Sequence, residues 1–317
     1  MEWASTFTRI IVISLETGLP LVFMFLGVHL IFRVLDNFDM TVDGSFPLGG
    51  ATVAILLANG VPPVPATLAA VVAGTIAGLL TGLIHVRLRV SLLLSGIIMM
   101  ISLYTVNLRV MGGPNVPLLD VGTIFSFADR YTGIARSLAI IPFLLVLVIL
   151  AAGGLVYFLK TQIGLAVRAT GGNQLMARSL GVNTAASTVL CLLIANGLIS
   201  FSGALVAQNQ GFADISMGIG SIVAGIASIL LGEIVVRKQG RVIRAAVAVV
   251  VGTLLYRFVI IFALRLGLQP FDLRLFTGVI LLLVITAPMG LARLNRLRGG
   301  QATTAVPSRL WQLRKSK

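Results

Sequence analysis

The chain has 317 residues, 57% of them hydrophobic and only 11% charged, with a mean hydropathy of +1.04. Soluble domains carry about a quarter charged residues, so this balance excludes an ordinary soluble protein and assigns the chain to a lipid bilayer. The net charge of +14 does not point to nucleic acid, because the Lys and Arg residues fall between and after apolar runs, where the lipid surface is their partner.

Apolar windows predict an all-α polytopic membrane protein of about nine transmembrane helices, within a range of eight to ten. The spans fall near residues 10–32, 46–60, 65–84, 90–106, 137–159, 186–207, 216–235, 242–264 and 275–292. The second and fourth are shorter than the roughly 20 residues a bilayer needs, so each is tilted, broken or longer than drawn. The first run continues to about Ile31 without a small-residue cleavage pattern, which reads as a retained helix rather than a signal peptide.

That first span contains Glu16, followed by Pro20. A carboxylate inside a membrane is expensive, which makes Glu16 a candidate for the translocation path; a span beginning nearer Gly18 would leave it at the interface instead. The connection to span two carries Asp36, Asp39 and Asp43. Irregular polar backbone is tolerated at membrane depth only where it lines a cavity or is buried in protein, so these carboxylates shape a solute path or decorate a solvated turn. On span three, Gly74, Gly78 and Gly82 recur every fourth residue, a small-residue face for close helix contact. The long connection 107–136 holds Arg109 and Arg130 among other charges, suited to docking an extracytoplasmic protein or to plain solvation.

Residues 160–186 are a polar, basic interruption between two long apolar spans. It has helix punctuation of its own. Gly172 or Asn173 can cap a start, and Gly181 stands where a left-handed stop is wanted. Leu175, Met176 and Leu180 give the short helix an apolar stripe, with Gln174 and Arg178 beside it. A helix of about two turns is marginal in water alone, so it needs a packing partner. Span six then carries Asn196, Ser200 and Ser202, continuing to Gln208 at its outer end, a polar track that glues helices or meets a polar solute.

Orientation follows from Lys and Arg. The stretch from Arg293 to Lys317 carries seven basic residues and no acid, which predicts a cytoplasmic C-terminus. Counting spans backwards puts 160–186 and Arg87/Arg89 in the cytoplasm, 107–136 outside and the N-terminus outside. Residues 1–298 form a single transmembrane domain and 299–317 a basic cytoplasmic tail. At an offset of 174 residues, Phe38, Gly44, Ile55 and Leu56 recur as Phe212, Gly218, Ile229 and Leu230, a faint inverted repeat of the kind transporters use.

Signatures of bond-breaking chemistry are missing from the sequence. His29 and His85 lack metal-ligand spacing, no phosphate-binding GxxxxGK[ST] loop occurs, and Cys191 stands alone in an apolar run. The expectation is no catalytic residue, no metal and no cofactor.

The stretch Arg168-Ala-Thr-Gly-Gly-Asn-Gln-Leu-Met-Ala-Arg-Ser-Leu-Gly-Val-Asn183 resembles the cytoplasmic loop of permease subunits of bacterial ABC importers in the branched-chain amino acid/ribose permease superfamily. The run from Ser202 through Gly218-Ile-Gly220 to Leu231-Gly-Glu233 is similar to the spans that follow it there. Residues Phe32–Asp36 and Asp39–Phe46 are similar to a narrower subgroup linked with aromatic amino acids or unassigned solutes. The resemblance covers roughly residues 15–290. It implies a type II importer permease in the inner membrane, paired with a second permease subunit, most simply as a homodimer. It also implies cytoplasmic ATPase subunits and an extracytoplasmic solute-binding protein as partners. Carried over by position, 172–181 is the coupling helix that seats in an ATPase groove, flanked by Arg168 and Arg178. The competing readings are an ATP-independent secondary transporter or channel and, more remotely, a membrane-embedded enzyme.

Overall fold

A computed structural model describes residues 2–119, 121–128, 131, 134–236, 242–269, 272–273, 275–284 and 286. The chain is helical almost throughout. Helix α1 (Glu2–His29) runs without interruption into a π-turn, Leu30–Val34, and α2 (Val42–Ala58), α3 (Pro63–Leu88) and α4 (Leu92–Met111) follow. Helix α5 (Ile134–Lys160) leads to two short helices, α6 (Gln162–Gly172) and α7 (Gln174–Ser179). The long α8 (Thr184–Gln210), then α9 (Ser221–Val236), α10 (Val242–Arg265) and a short apolar helix α11 (Leu275–Val284) complete the order.

Seven of these segments are long and apolar enough to cross a membrane, and α2 and α11 are shorter apolar helices. Each of the nine predicted spans therefore coincides with a helix, α1 beginning earlier than hydropathy put it, while residues 285 and 287–292 of the ninth lie outside the described residues. At 1.5 Å per residue the 17 residues of α2 cover about 26 Å, short of the ~30 Å hydrocarbon core. Nearly every side of α2 is buried among neighbouring helices, so its length is matched to protein rather than to lipid.

Close packing centres on α8. The glycine face of α3 lies against it as the spacing predicts: a Cβ on Gly74 would fall 2.2 Å from Ser200 Cβ, and one on Gly78 would fall 2.3 Å from the Leu192 carbonyl oxygen. Helix α2 approaches α8 as tightly, since a Cβ on Gly49 would meet the Ser200 carbonyl at 1.9 Å. Without a hydrophobic driving force between helices in lipid, such backbone-to-backbone approach supplies the dispersion contact that holds them. The main apolar core gathers Leu19, Phe23, Phe25 and Leu26 of α1 with Leu192, Ile199 and Leu205 of α8.

The contacts define two ends of the molecule. At one end, the C-terminus of α6 lies on the π-turn, where a Cβ on Gly171 would fall 2.0 Å from the Val34 carbonyl oxygen. Arg33 of that turn also forms an ion pair with Glu233 near the end of α9. At the other end two short strands that hydropathy does not predict, β1 (Asn115–Pro117) and β2 (Phe212–Asp214), pair antiparallel with Val116 opposite Ala213. They tie the connection after α4 to the turn after α8. Residues Asn115–Pro117 and the helical turn Ser126–Ala128 thus carry local order, although the sequence presents this stretch only as a long polar loop.

Candidate functional site

Helix α7 is built by local chemistry. Asn173, the earlier-named alternative to Gly172, is the N-cap, with an extended backbone (φ −158°, ψ 101°) and a side-chain oxygen that accepts from Met176 N at 3.0 Å. Gly172 closes α6 instead. The stop is a double hydrogen-bonded cap in which Gly181 N donates to Arg178 O and Val182 N to Ala177 O, both at 3.0 Å. Gly181 sits at φ 81°, a left-handed conformation that a side chain disfavours. Six residues are thereby fixed as a helix at both ends.

Only one side chain of this helix is buried in the chain, Ala177 at 2% exposure, whereas Leu175, Met176 and Leu180 stand at 77%, 61% and 73%. Gln174 is exposed too. The exposed Arg178 donates through Nε to Thr184 Oγ1 at 2.8 Å, fastening α7 to the start of α8. Arg168, half-buried in α6, has its Nε inside the protein without an acceptor among the described residues. The whole arrangement is a rigid apolar knob with a basic rim, projecting from the π-turn end.

The candidates for a solute path are distributed over the molecule rather than gathered in one chamber. Asp39 and Asn196 do meet. Asp39 is fully buried, accepts from Thr41 N at 2.8 Å and Thr41 Oγ1 at 2.5 Å, and receives Asn196 Nδ2 at 3.3 Å. Asn196 in turn accepts from Ser45 Oγ at 2.7 Å, and Thr41 Oγ1 lies 2.9 Å from Thr81 Oγ1. This node joins the connection after α1 to α2, α3 and α8, and no cation faces it among the described residues.

The other candidates are engaged elsewhere. Asp43 caps α9, accepting from Gly220 N, Ser221 Oγ and Ile222 N at 2.8–3.0 Å. Ser200 Oγ donates to Ala70 O on α3 at 2.6 Å. Gln208 accepts from Ile124 N at 3.0 Å and donates to Thr67 Oγ1 at 2.9 Å, anchoring the outer connection to α8 and α3. Glu16 accepts from Ser137 Oγ at 2.6 Å and pairs with Arg136 at 3.4 Å, joining α1 to α5. Asp36 is exposed at the end of the π-turn with φ 55°. Arg109 is exposed in the last turn of α4, and Arg130 and the basic tail lie outside the described residues.

Sequence reasoning missed the Arg33–Glu233 pair. Its signal was present, since Glu233 is an acid at the end of an apolar run and Arg33 a base at the end of another. Nothing in one dimension says that these two ends meet.

Comparison with known proteins bears on the same stretch of chain. The family described as "Branched-chain amino acid transport system / permease component" matches residues 10–287. Over 273 residues the chain is 42% identical to a tyrosine transport system permease protein of Clostridioides difficile (strain R20291), covering 86% of this chain and 89% of that protein. It is 31% identical over 282 residues to an uncharacterized protein of Rickettsia prowazekii (strain Madrid E), covering 88% and 98% respectively. No solved structure matches. A match that runs from the first helix to α11, passing through the capped knob, means that this multi-pass membrane protein belongs to the family of branched-chain amino acid transport system permease components.

Proposed function

We propose that the chain is the membrane-spanning subunit of a binding-protein-dependent ABC importer, and that α7 with its caps is the element that seats in a separate ATPase subunit. The observation that carries this reading is the knob itself: a helix rigidly capped at both ends whose three large apolar side chains are all exposed. Apolar side chains held out in a fixed geometry are complementary to an apolar groove; Met176 and Leu180 stand at the i, i+4 spacing of helix-in-groove anchors, with Leu175 beside them. Arg168, Arg178 and the polar Asn173 and Gln174 form its rim. ATP is hydrolysed by the partner, and this chain supplies the path.

The π-turn end is assigned to the cytoplasm because Arg87, Arg89, Lys160, Arg168 and Arg178 cluster at the helix ends there. The strand end, with Arg109 exposed, then faces a solute-binding protein across the membrane. The tail follows to the cytoplasm, and the membrane is the inner one of a bacterial cell. A permease of this kind works as a pair, here as two copies of the same chain. The solute is an amino acid or a related compound, and the relative named for tyrosine transport makes an aromatic amino acid the first to test.

The test is a double substitution, Leu175→Asp with Leu180→Asp, in a tagged chain extracted gently from its own membrane. Both positions are exposed, so the variant folds and elutes as the parent does. Expected is an ATPase that co-purifies with the parent in near-equal amount and is lost from the variant, together with loss of tyrosine uptake in cells. A parent chain that comes out alone under several mild detergents overturns the reading in favour of an ATP-independent transporter.

A further inference from the structure

The knob is only useful if its displacement reaches the spans. Resting on the ATPase-coupled reading above, we infer that the π-turn Leu30–Val34 is the receiving element, with Gly171 as the contact that pushes it and the Arg33–Glu233 pair as the link that carries the push to α9.

The geometry converges on this turn from three sides. Helix α6 ends one residue before α7 begins, with Asn173 serving as C-cap of the first and N-cap of the second. The two short helices therefore move as one piece. Gly171, in the last turn of α6, is where the backbone of that piece meets the backbone of the π-turn. A Cβ there would fall 2.0 Å from Val34 O and 2.8 Å from Leu35 Cα, so helix backbone rests directly on turn backbone with no side chain between. A contact of this kind has no rotamers to absorb motion and transmits displacement as packed interiors do.

The receiving turn closes α1 with π winding rather than regular α-helix, a rare geometry that is frequent at functional sites. Leu35 N donates to Leu30 O at 2.9 Å, and Asn37 N reaches back to Ile31 O at 3.1 Å. Asp36 follows in the left-handed region at φ 55°, a conformation that a non-glycine residue holds only when its surroundings impose it.

Two ties leave the turn for other spans. Arg33, partly covered by the Phe32 ring 5.1 Å from its guanidinium carbon, pairs with Glu233 in the last turn of α9. Three residues past Asp36, Asp39 enters the buried node with Thr41 and Asn196 that joins α2, α3 and α8. A shift of the turn is thus delivered to α9 through a partly buried ion pair and to the α8 side through a buried hydrogen-bond node. Arg33, Glu233 and Gly171 touch neither ATPase nor solute in this scheme; they are positioning residues for coupling.

The experiment uses the whole importer, permease with its ATPase and binding protein, in proteoliposomes, and reads solute moved per ATP hydrolysed. Gly171→Ala is one variant. Arg33→Glu, Glu233→Arg and the two combined form an independent set. Expected for Gly171→Ala and for each single charge reversal is an ATPase that still co-purifies, hydrolysis within about twofold of the parent, and a transport-to-hydrolysis ratio lowered roughly tenfold or more, as for a loss of site-to-site coupling. The combined reversal restores the ratio, which a merely damaged fold would not do. An unchanged ratio in Gly171→Ala or in the single reversals overturns the inference, as does a combined variant no better than either single one. Release of the ATPase from Gly171→Ala also overturns it, by making Gly171 part of the docking surface. A parent chain that never holds an ATPase is a different failure, that of the ABC reading itself.

Discussion

At the scale of single residues, the glycines of α3 divide by what a methyl group would meet. On Gly78 a Cβ would press to 2.3 Å of the Leu192 carbonyl, a backbone atom that cannot rotate away. On Gly82 the nearest atoms belong to Val189 at 3.1 Å, so a few tenths of an ångström of adjustment suffices. Alanine in a helix gains about 0.5–1 kcal/mol over glycine in backbone entropy. Overpacking of a tight interface costs ~1–3 kcal/mol, so the clash wins at Gly78 and roughly cancels at Gly82. Gly78→Ala is expected to lower the thermal unfolding midpoint of the detergent-solubilised protein by about 2–4 °C, and Gly82→Ala to leave it nearly unchanged. Equal midpoints for the two would mean that α3 and α8 are not packed at this distance. This face was legible in sequence because close helix approach is specified by residue size at a fixed period. Asp43 was not, because its meaning depends on α9, which begins 178 residues later at Ser221. Three donors converge on its carboxylate at the start of that helix, where the partial positive charge of the helix end also favours an anion. Asp43→Ala leaves these donors unmet and should cost about 2 kcal/mol or slightly more, read as a lower unfolding midpoint. Asp43→Asn, which keeps an accepting oxygen, should recover at least half of the loss, and an alanine variant as stable as the parent would contradict the capping role.

At the scale of elements, legibility follows whether an element's determinants are local. Helix α7 is determined within ten residues by Asn173 at one end and Gly181 at the other, so its bounds could be read directly from the chain. Its apolar stripe could be read as well, and the structure adds that the stripe is uncovered by the chain's own residues. The long spans were legible for another local reason, since about 20 apolar residues in a row have no alternative to a helix in lipid. The π-turn is the opposite case. Residues Leu30–Val34 continue the apolar run of α1 with no glycine or proline to announce a break, and the departure from α-helix is fixed by what packs there: α6 on Val34 and Leu35, Glu233 on Arg33, and Cys191 Sγ against the Leu30 carbonyl at 3.6 Å. The pairing of β1 with β2 is likewise tertiary, three residues on each side brought together by the ends of α4 and α8. Polar residues within spans were recognisable as important from their cost in lipid. What each one touches is set by its neighbours, and for Ser200 and Glu16 those are groups on other helices, for Gln208 a group on α3 and one in the outer connection.

At the scale of the whole molecule, the sole cysteine makes the orientation of the fold directly measurable. Cys191 is fully buried in α8, with its sulfur against the Leu30 carbonyl, so the native chain offers no accessible thiol to a membrane-impermeant maleimide. Single substitutions to cysteine can therefore be read on an unaltered background. Arg109 lies exposed at the end of α4 and Leu175 exposed on α7, and α5 crosses once between them. They mark the two ends of the molecule that β1–β2 pairing and the Gly171 contact distinguish. Arg109→Cys is expected to label with the impermeant reagent applied outside, in intact cells stripped of any outer envelope. Leu175→Cys is expected to label only once the membrane is opened, and less when the ATPase is bound than after it has been washed away. Label on both from the same side would break the single crossing by α5 and with it the count of spans on either side. Exchange of the two patterns would keep the fold and invert it in the membrane, setting Arg87, Arg89, Lys160 and Arg178 on the outer face against the charge bias that orients membrane proteins. Protection of Leu175→Cys by the ATPase would tie the orientation to the proposed function, because the proposed seating covers Leu175.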